Sequence, residues 1–215
     1  MTEQGQQPST GKASVAMRHD ITLLTKDDFY LFNEGSHFHL HDKLGAHPMV
    51  VDGVPGTVFS VWAPNAERVS VIGDFNGWDT SAHPLHSRGA SGIWEGWIAN
   101  LGQGTVYKLL IASRYRGVAA EKADPFAFTS EVPPKSASVV WELGYQWGDQ
   151  DWMTARGGRN SLRSPMSIYE VHLGSFMRAP EDGYRSLSYR ELADSLTEHV
   201  VRMGFTHVEM LPVME

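Results

Sequence analysis

Thr57-Val58-Phe59-Ser60-Val61-Trp62, Pro64-Asn65-Ala66-Glu67 and Arg68-Val69-Ser70-Val71-Ile72 decide the reading of this chain. Two short runs of β-branched and aromatic residues flank a Pro-Asn turn, which is the pattern of two strands joined tightly. The same grammar returns downstream in Gly92-Ile93-Trp94-Glu95-Gly96-Trp97-Ile98, in the turn Asn100-Leu101-Gly102-Gln103-Gly104, and in Thr105-Val106-Tyr107-Lys108-Leu109-Leu110-Ile111. A last run from Ser136 to Trp141 completes a small antiparallel sandwich of immunoglobulin-like type. The whole is expected to be mainly β.

On the N-terminal side, residues 1–24 are rich in Gln, Ser, Thr and Gly and read as a disordered tail. Residues 25–50 read as a helical and extended appendage. Thr25-Lys26-Asp27-Asp28 offers an oxygen N-cap and an acid three positions on, and Gly35 offers a stop. The sandwich is placed at 51–142, and the Gly-containing stretch 143–164, with Tyr145, Trp147 and Trp152, reads as a linker laying aromatic rings on a neighbouring surface.

From residue 165 the pattern changes. Ser167-Ile168-Tyr169-Glu170-Val171-His172-Leu173 predicts a strand, and Ser188 with Glu191 makes a capping box. Leu192, Leu196, Val200 and Met203 form a helical stripe ended by Gly204, and Phe205 to Val213 returns as a parallel strand. The expectation for 165–215 is the first βαβ unit of an incomplete (β/α)8 barrel, whose strands a single helix leaves partly bare.

With 215 residues and 41% hydrophobic content there is enough chain for one good core and part of a second. A formal charge of −7, with no Lys/Arg cluster, argues against nucleic acid as a partner. No apolar run has membrane-spanning length and the first twenty residues lack a signal-like apolar stretch, so no membrane partner and a cytoplasmic location are expected. The absence of cysteine removes disulfides and thiolate metal sites. Seven Trp and seven Tyr supply aromatic faces, suited both to sugar rings and to sandwich cores.

Several segments resemble a known family. Gly73-Asp74-Phe75-Asn76-Gly77-Trp78-Asp79, Tyr107-Lys108 and Lys122-Ala123-Asp124-Pro125-Phe126-Ala127 resemble the glycogen-binding sandwich of carbohydrate-binding module family 48. Pro165 to Phe176, Tyr189-Arg190-Glu191-Leu192-Ala193 and Gly204 to Glu215 are similar to the opening of the catalytic barrel in 1,4-α-glucan branching enzymes of the α-amylase superfamily. Tyr30-Leu31-Phe32-Asn33-Glu34-Gly35 and Leu44-Gly45-Ala46-His47-Pro48 match the segment preceding the module in those enzymes. The resemblance implies a glycosyltransferase of glycogen biosynthesis. It cleaves an α-1,4 glucan, holds the fragment covalently and moves it to a glucose 6-hydroxyl.

The resemblance also implies a carboxylate nucleophile, a carboxylic acid/base and a third acid on later strands of a barrel of roughly 250 residues. None of those positions lies in this sequence, so no catalytic residue is assigned and the chain alone is expected to be inactive. The implied partners are α-glucan and, in a longer form, the missing barrel; no cofactor is implied. The alternatives are a stand-alone glycogen-binding module or another hydrolase of the amylase superfamily, such as a debranching enzyme. The wording of Tyr169 to Ser175 favours branching enzymes over the latter.

Four residues are carried as sugar-binding candidates. Trp78 stands in a Gly/Asn/Asp loop and can stack on glucose or anchor the loop, and Lys108 matches a glucan-touching Lys of the resembled module. Tyr115 stands in Arg114-Tyr115-Arg116, where the relatives carry another Trp. Trp97 and Trp94 point to opposite faces of one strand, one toward core and one outward, and Trp97 is the candidate contact. His37, His39 and His41 alternate in His37-Phe38-His39-Leu40-His41, but without a visible carboxylate they read as a polar loop and no metal is expected. Glu170 with His172 reads as a polar strand pair, and Glu209 and Glu215 lack partner acids.

Overall fold

The computed structural model describes residues 16–213 except 116 and 160. It divides into two compact units, 1–145 and 146–215. Residues 1–15 of the expected tail lie outside the described residues.

The first unit opens with strand β1 (Met17–Arg18) and helix α1 (Lys26–Glu34). Next come β2 (Gly45–Val51), β3 (Val54–Trp62), β4 (Ala66–Gly73), β5 (His86–Ser87), β6 (Ile93–Ala99), β7 (Val106–Ser113), β8 (Ala119–Lys122), β9 (Thr129–Ser130) and β10 (Ser138–Val139). One antiparallel sheet has the order β1-β6-β3-β2 with β5 also on β6; the other runs β4-β7-β10-β9 with β8 also on β7. Between them lie Phe59, Val61, Val69, Val71, Ile98, Tyr107, Leu109 and Val140, all buried. The Phe59 and Tyr107 rings meet edge to face at 4.9 Å, the preferred aromatic geometry. The Tyr107 hydroxyl donates to Asp124 Oδ2 at 2.7 Å, tying the Lys122–Ala127 segment to the core. Burial, opposed by the Tyr107 hydrogen bond, raises the Asp124 carboxyl above its ordinary range.

Alternation on β3 puts Phe59 and Val61 between the sheets and Val58 on the opposite face. That opposite face is also covered. Val58, Trp97, Ala99 and Val51 pack beneath Ile21 and Leu23, and Glu95 on the same face of β6 is fully buried. Arg88 Nε donates to Glu95 Oε2 at 2.6 Å and Thr22 Oγ1 does so at 2.7 Å, while the Arg88 guanidinium also reaches the carbonyls of His19 and Ile21. Residues 17–24 are therefore part of the sandwich, not of a tail. The expected boundary at residue 51 also falls inside the fold, because β2 pairs with β3 from Gly45 onward.

Helix α1 forms where its caps predict. Thr25 and Asp28 make a reciprocal capping box, and Gly35 closes the helix at φ 83°, a left-handed backbone that glycine adopts without strain.

The second unit contains α2 (Gln150–Arg159), β11 (Ile168–Val171), α3 (Leu173–Phe176), β12 (Arg178–Ala179), β13 (Arg185–Ser186), α4 (Tyr189–Met203) and β14 (His207–Met210). Helix α2 occupies much of the expected linker. Its Trp152 is half exposed and carries the Arg156 guanidinium over its ring at 5.4 Å. Strands β11 and β14 pair in parallel, Ile168 opposite His207 through Val171 opposite Met210, and α4 connects them. Ser188 and Glu191 form the capping box, and Gly204 closes the helix at φ 78°. The Arg185 guanidinium and the Ser188 cap hold the Glu191 carboxyl down at about 2. Leu192, Leu196 and Val200 pack on Val171 and Leu173, whereas Met203, expected to complete the stripe, is exposed. The unit is thus a βαβ element with a small hairpin, β12–β13, inserted before α4. Among the described residues no helix is long and apolar enough to cross a membrane.

Candidate functional site

Strand β4 ends at Gly73, where a Cβ would stand 2.3 Å from the Val106 carbonyl and 2.7 Å from the Phe75 ring. Only glycine fits. The chain then makes a tight 3₁₀ turn over Asp74–Asn76, passes Gly77 at φ 65°, and reaches Trp78 at φ 61°, an uncommon backbone for a bulky residue. The turn is pinned by Asn76, whose Oδ1 accepts from Gly73 N at 3.0 Å and whose Nδ2 donates to the Val71 carbonyl at 3.0 Å. Trp78 N donates to the Gly73 carbonyl at 2.9 Å, and its indole Nε1 donates to Asp74 Oδ1 at 2.7 Å. The indole is half buried and fixed by a carboxylate, so one edge is anchored and part of its surface remains open. A platform held this way loses little rotamer freedom when a flat apolar ligand face lies on it. Beyond it, Asp79 is kept below the ordinary carboxylate range by hydrogen bonds from the Ser81 amide and hydroxyl.

Lys108 stands opposite Ile72 in the β4–β7 ladder, one position from the Gly73–Tyr107 pair. Trp78 and Lys108 therefore occupy the same end of the second sheet. Lys108 is half buried, and its Nζ lies 3.9 Å from Glu121 Oε2 on β8. An ammonium, a carboxylate and an indole at one sheet end can offer hydrogen bonds to hydroxyls beside a stacking face.

Tyr115 is exposed, but it follows Ser113, which pairs with Ala66 at the other end of β4. From Lys108 to Ser113 the strand advances five residues, about 17 Å. The fold does not bring Tyr115 to the Trp78 and Lys108 pair.

Trp97 is corrected outright. Its ring points away from the inter-sheet core, opposite to Trp94, yet Ile21 and Leu23 close over it and leave it 3% exposed. It lies so tightly on β3 that a Cβ on Gly56 would be 2.5 Å from the ring. Trp94 packs at the edge of the inter-sheet core and donates its Nε1 hydrogen to the Ala63 carbonyl at 3.0 Å. The residues that sequence reasoning passed over are Asp74 and Glu121. Asp74 lay in plain view four positions before Trp78, whereas Glu121 reaches Lys108 only through the β7–β8 pairing.

His37 is removed from the histidine group by its bonds: Nδ1 accepts from the His39 amide at 3.2 Å and Nε2 donates to Asp28 Oδ1 at 2.9 Å. In the second unit, Glu170 and Glu209 are exposed neighbours in the β11–β14 register, and His172 Nδ1 meets Ser175 Oγ at 2.8 Å. A groove of about 500 Å³ opens at the C-terminal ends of β11 and β14, lined by His172, Leu173, Ser186, Tyr189, Leu211 and Val213 among others. Glu215 lies outside the described residues.

Residues 43–127 match carbohydrate-binding module 48, the isoamylase N-terminal domain. The match spans 85 of the 215 residues, all within the first unit. Strands β2, β3, β4, β6, β7 and β8, with the Trp78 loop and Lys108, fall within the match. Over most of its length the chain is similar to the N-terminal portion of 1,4-alpha-glucan branching enzymes. It is 54% identical over 189 residues to that of Paramagnetospirillum magneticum, covering 87% of this chain and 26% of the enzyme. It is 52% identical over 196 residues to that of Aquifex aeolicus, covering 91% of this chain and 31% of the enzyme. The chain thus spans about a quarter of the length of the curated relatives it matches. The crystal structure of Klebsiella pneumoniae pullulanase complexed with maltotriose superposes with a TM-score of 0.60 at 21% identity. That superposition covers 88% of this chain and 19% of the pullulanase, and it supports the mainly β fold.

Proposed function

We propose that this chain is the N-terminal portion of a 1,4-α-glucan branching enzyme of glycogen biosynthesis, in which the module engages α-glucan through Trp78 and Lys108. The observation that carries the reading is the identity of about one half to branching enzymes, which extends through both units rather than stopping at the module. The βαβ unit then serves as the opening of a (β/α)8 barrel. The groove at the C-terminal ends of β11 and β14 would lie on the face where such barrels carry their chemistry. In this reading the nucleophile and the acid/base lie outside these 215 residues, and the chain alone forms no α-1,6 linkages.

Glycogen-affinity electrophoresis tests the binding half. Glycogen in a native gel should retard the chain, and Trp78→Ala should restore most of the lost mobility, since removing a stacked aromatic costs about 1–2 kcal/mol or roughly tenfold in affinity. Equal mobility of both proteins with and without glycogen would leave the module as a brace rather than a binding site. The catalytic half is tested by incubating amylose with the chain alone and with a form extended through a whole barrel. New α-1,6 signals in the NMR spectrum are expected only with the second. Branching by the 215-residue chain itself would overturn the assignment.

A further inference from the structure

Between α1 and β2 the chain makes one 3₁₀ turn, Leu40–Asp42, closed by the Asp42 amide on the His39 carbonyl at 3.1 Å. In a 3₁₀ turn residues i and i+3 eclipse, so His39 and Asp42 share one side of it. The turn is firmly seated. Leu40 packs into the cluster of Leu24, Leu44 and Ile93, and Lys43 Nζ donates to the Leu23 carbonyl at 3.0 Å and pairs with Asp28 at 3.1 Å. What the turn displays is exposed and serves no core: His39, His41 and Asp42, with side chains 77%, 60% and 59% open.

Their potential donor atoms converge. His39 Nδ1 lies 3.7 Å from Asp42 Oδ2 and His41 Nε2 lies 3.4 Å from Asp42 Oδ1, and one donor atom from each of the three falls within 4.8 Å of the others. Ligands about 2.1 Å from a tetrahedral metal ion stand roughly 3.4 Å apart. The two histidines reach different oxygens of Asp42, so one edge is nearly in place and the others need only rotamer adjustments of exposed side chains. Exposed His–Asp pairs add little to stability, so the fold gains almost nothing from gathering these groups. His37 is not a fourth ligand, since both of its ring nitrogens are engaged. It acts instead as a brace, because its Nδ1 holds the His39 amide in place. Among the described residues this is the one group of three such side chains whose donor atoms come so close.

We propose that His39, His41 and Asp42 bind one divalent first-row transition ion of the zinc, nickel or copper class, with the remaining coordination positions filled by water. Two imidazoles and one carboxylate are the donors such borderline ions prefer, while Mg²⁺ and Ca²⁺ favour all-oxygen sets. Three exposed protein ligands make an exchangeable site rather than a structural one. It shares no residue with the Trp78 and Lys108 pair and does not depend on the glucan reading.

Isothermal titration of the untagged chain with zinc chloride in a non-chelating buffer tests this. One ion per chain with micromolar affinity is expected. His39→Gln combined with His41→Gln should abolish the titration, and Asp42→Asn should weaken it by about tenfold. Circular dichroism should be unchanged in all variants, since the three side chains are exposed. MgCl₂ should give no heat beyond dilution. Absence of zinc binding by the chain, or wild-type binding by the double variant, would overturn the proposal, the latter by placing the ion at other histidines.

Discussion

The two units use the same strand grammar and reach different degrees of closure. In the sandwich, β3 and β6 are covered on both faces, by the second sheet on one side and by Ile21, Leu23, Leu24 and Leu44 on the other, so that Val58, Phe59, Ile93 and Ile98 are at most 1% exposed. In the second unit a single helix, α4, covers β11 and β14 on one face, and Ile168, Met210 and Val213 remain 45–53% exposed. An antiparallel sandwich closes within one stretch of chain. A parallel pair needs further strands and helices before its second face is dry.

The largest effect should come from Phe59→Ala, which removes a ring packed edge to face against Tyr107 at the centre of the sandwich. A loss of about 3–5 kcal/mol in urea unfolding followed by tryptophan fluorescence is expected. A loss below about 1 kcal/mol would mean that the sandwich core is no tighter than the second unit, and the contrast would fail.

Leu196→Ala should cost about 2–3 kcal/mol, confined to the second unit. Hydrogen exchange is the measurement: amides of α4 and β11 should lose protection while those of β3 and β6 keep theirs. Loss of protection in all four elements together would show one cooperative fold instead of two compact units.

The smallest effect is pH-linked. Burial of Asp28 works toward a higher pKa, but hydrogen bonds from the Thr25 amide, His37, the Thr25 hydroxyl and Lys43 outweigh it and hold the carboxyl well below its ordinary range. The folded state therefore favours the ionised form, and this stabilisation is present above about pH 4 and lost as pH falls toward the depressed folded value. Asp28→Asn should lower the melting temperature at pH 7 by the equivalent of about 1 kcal/mol. The gap between wild type and variant should narrow progressively below about pH 4. A gap that stayed constant to pH 2.5 would show that the charge contributes nothing.

How far the fold was readable follows from the range of each interaction. Both capping boxes, Thr25 with Asp28 and Ser188 with Glu191, and both glycine stops span a few residues, and they set α1 and α4 directly. The alternation of β3, β6 and β7 was equally local. The two-residue strands β9, β12 and β13 carry no period to read, and α2 formed inside a glycine-containing stretch that pattern alone assigned to a linker. The binding candidates divide in the same way. Trp78 sits where its loop residues indicated, locked by Asp74 four positions away, whereas Trp97, carried as a sugar contact, is covered by Ile21 and Leu23.

The sequence by itself determined the strand and helix periods, the caps and the resemblance, because each depends on neighbours within about one turn or one hairpin. Only the tertiary structure decided what covers each face. Ile21 and Leu23 close over Trp97 from more than seventy residues away, Arg88 clasps the His19 and Ile21 carbonyls, and pairing across β7 and β8 brings Glu121 to Lys108. Burial is a property of the whole packed chain, and no local pattern states which segment will supply the cover.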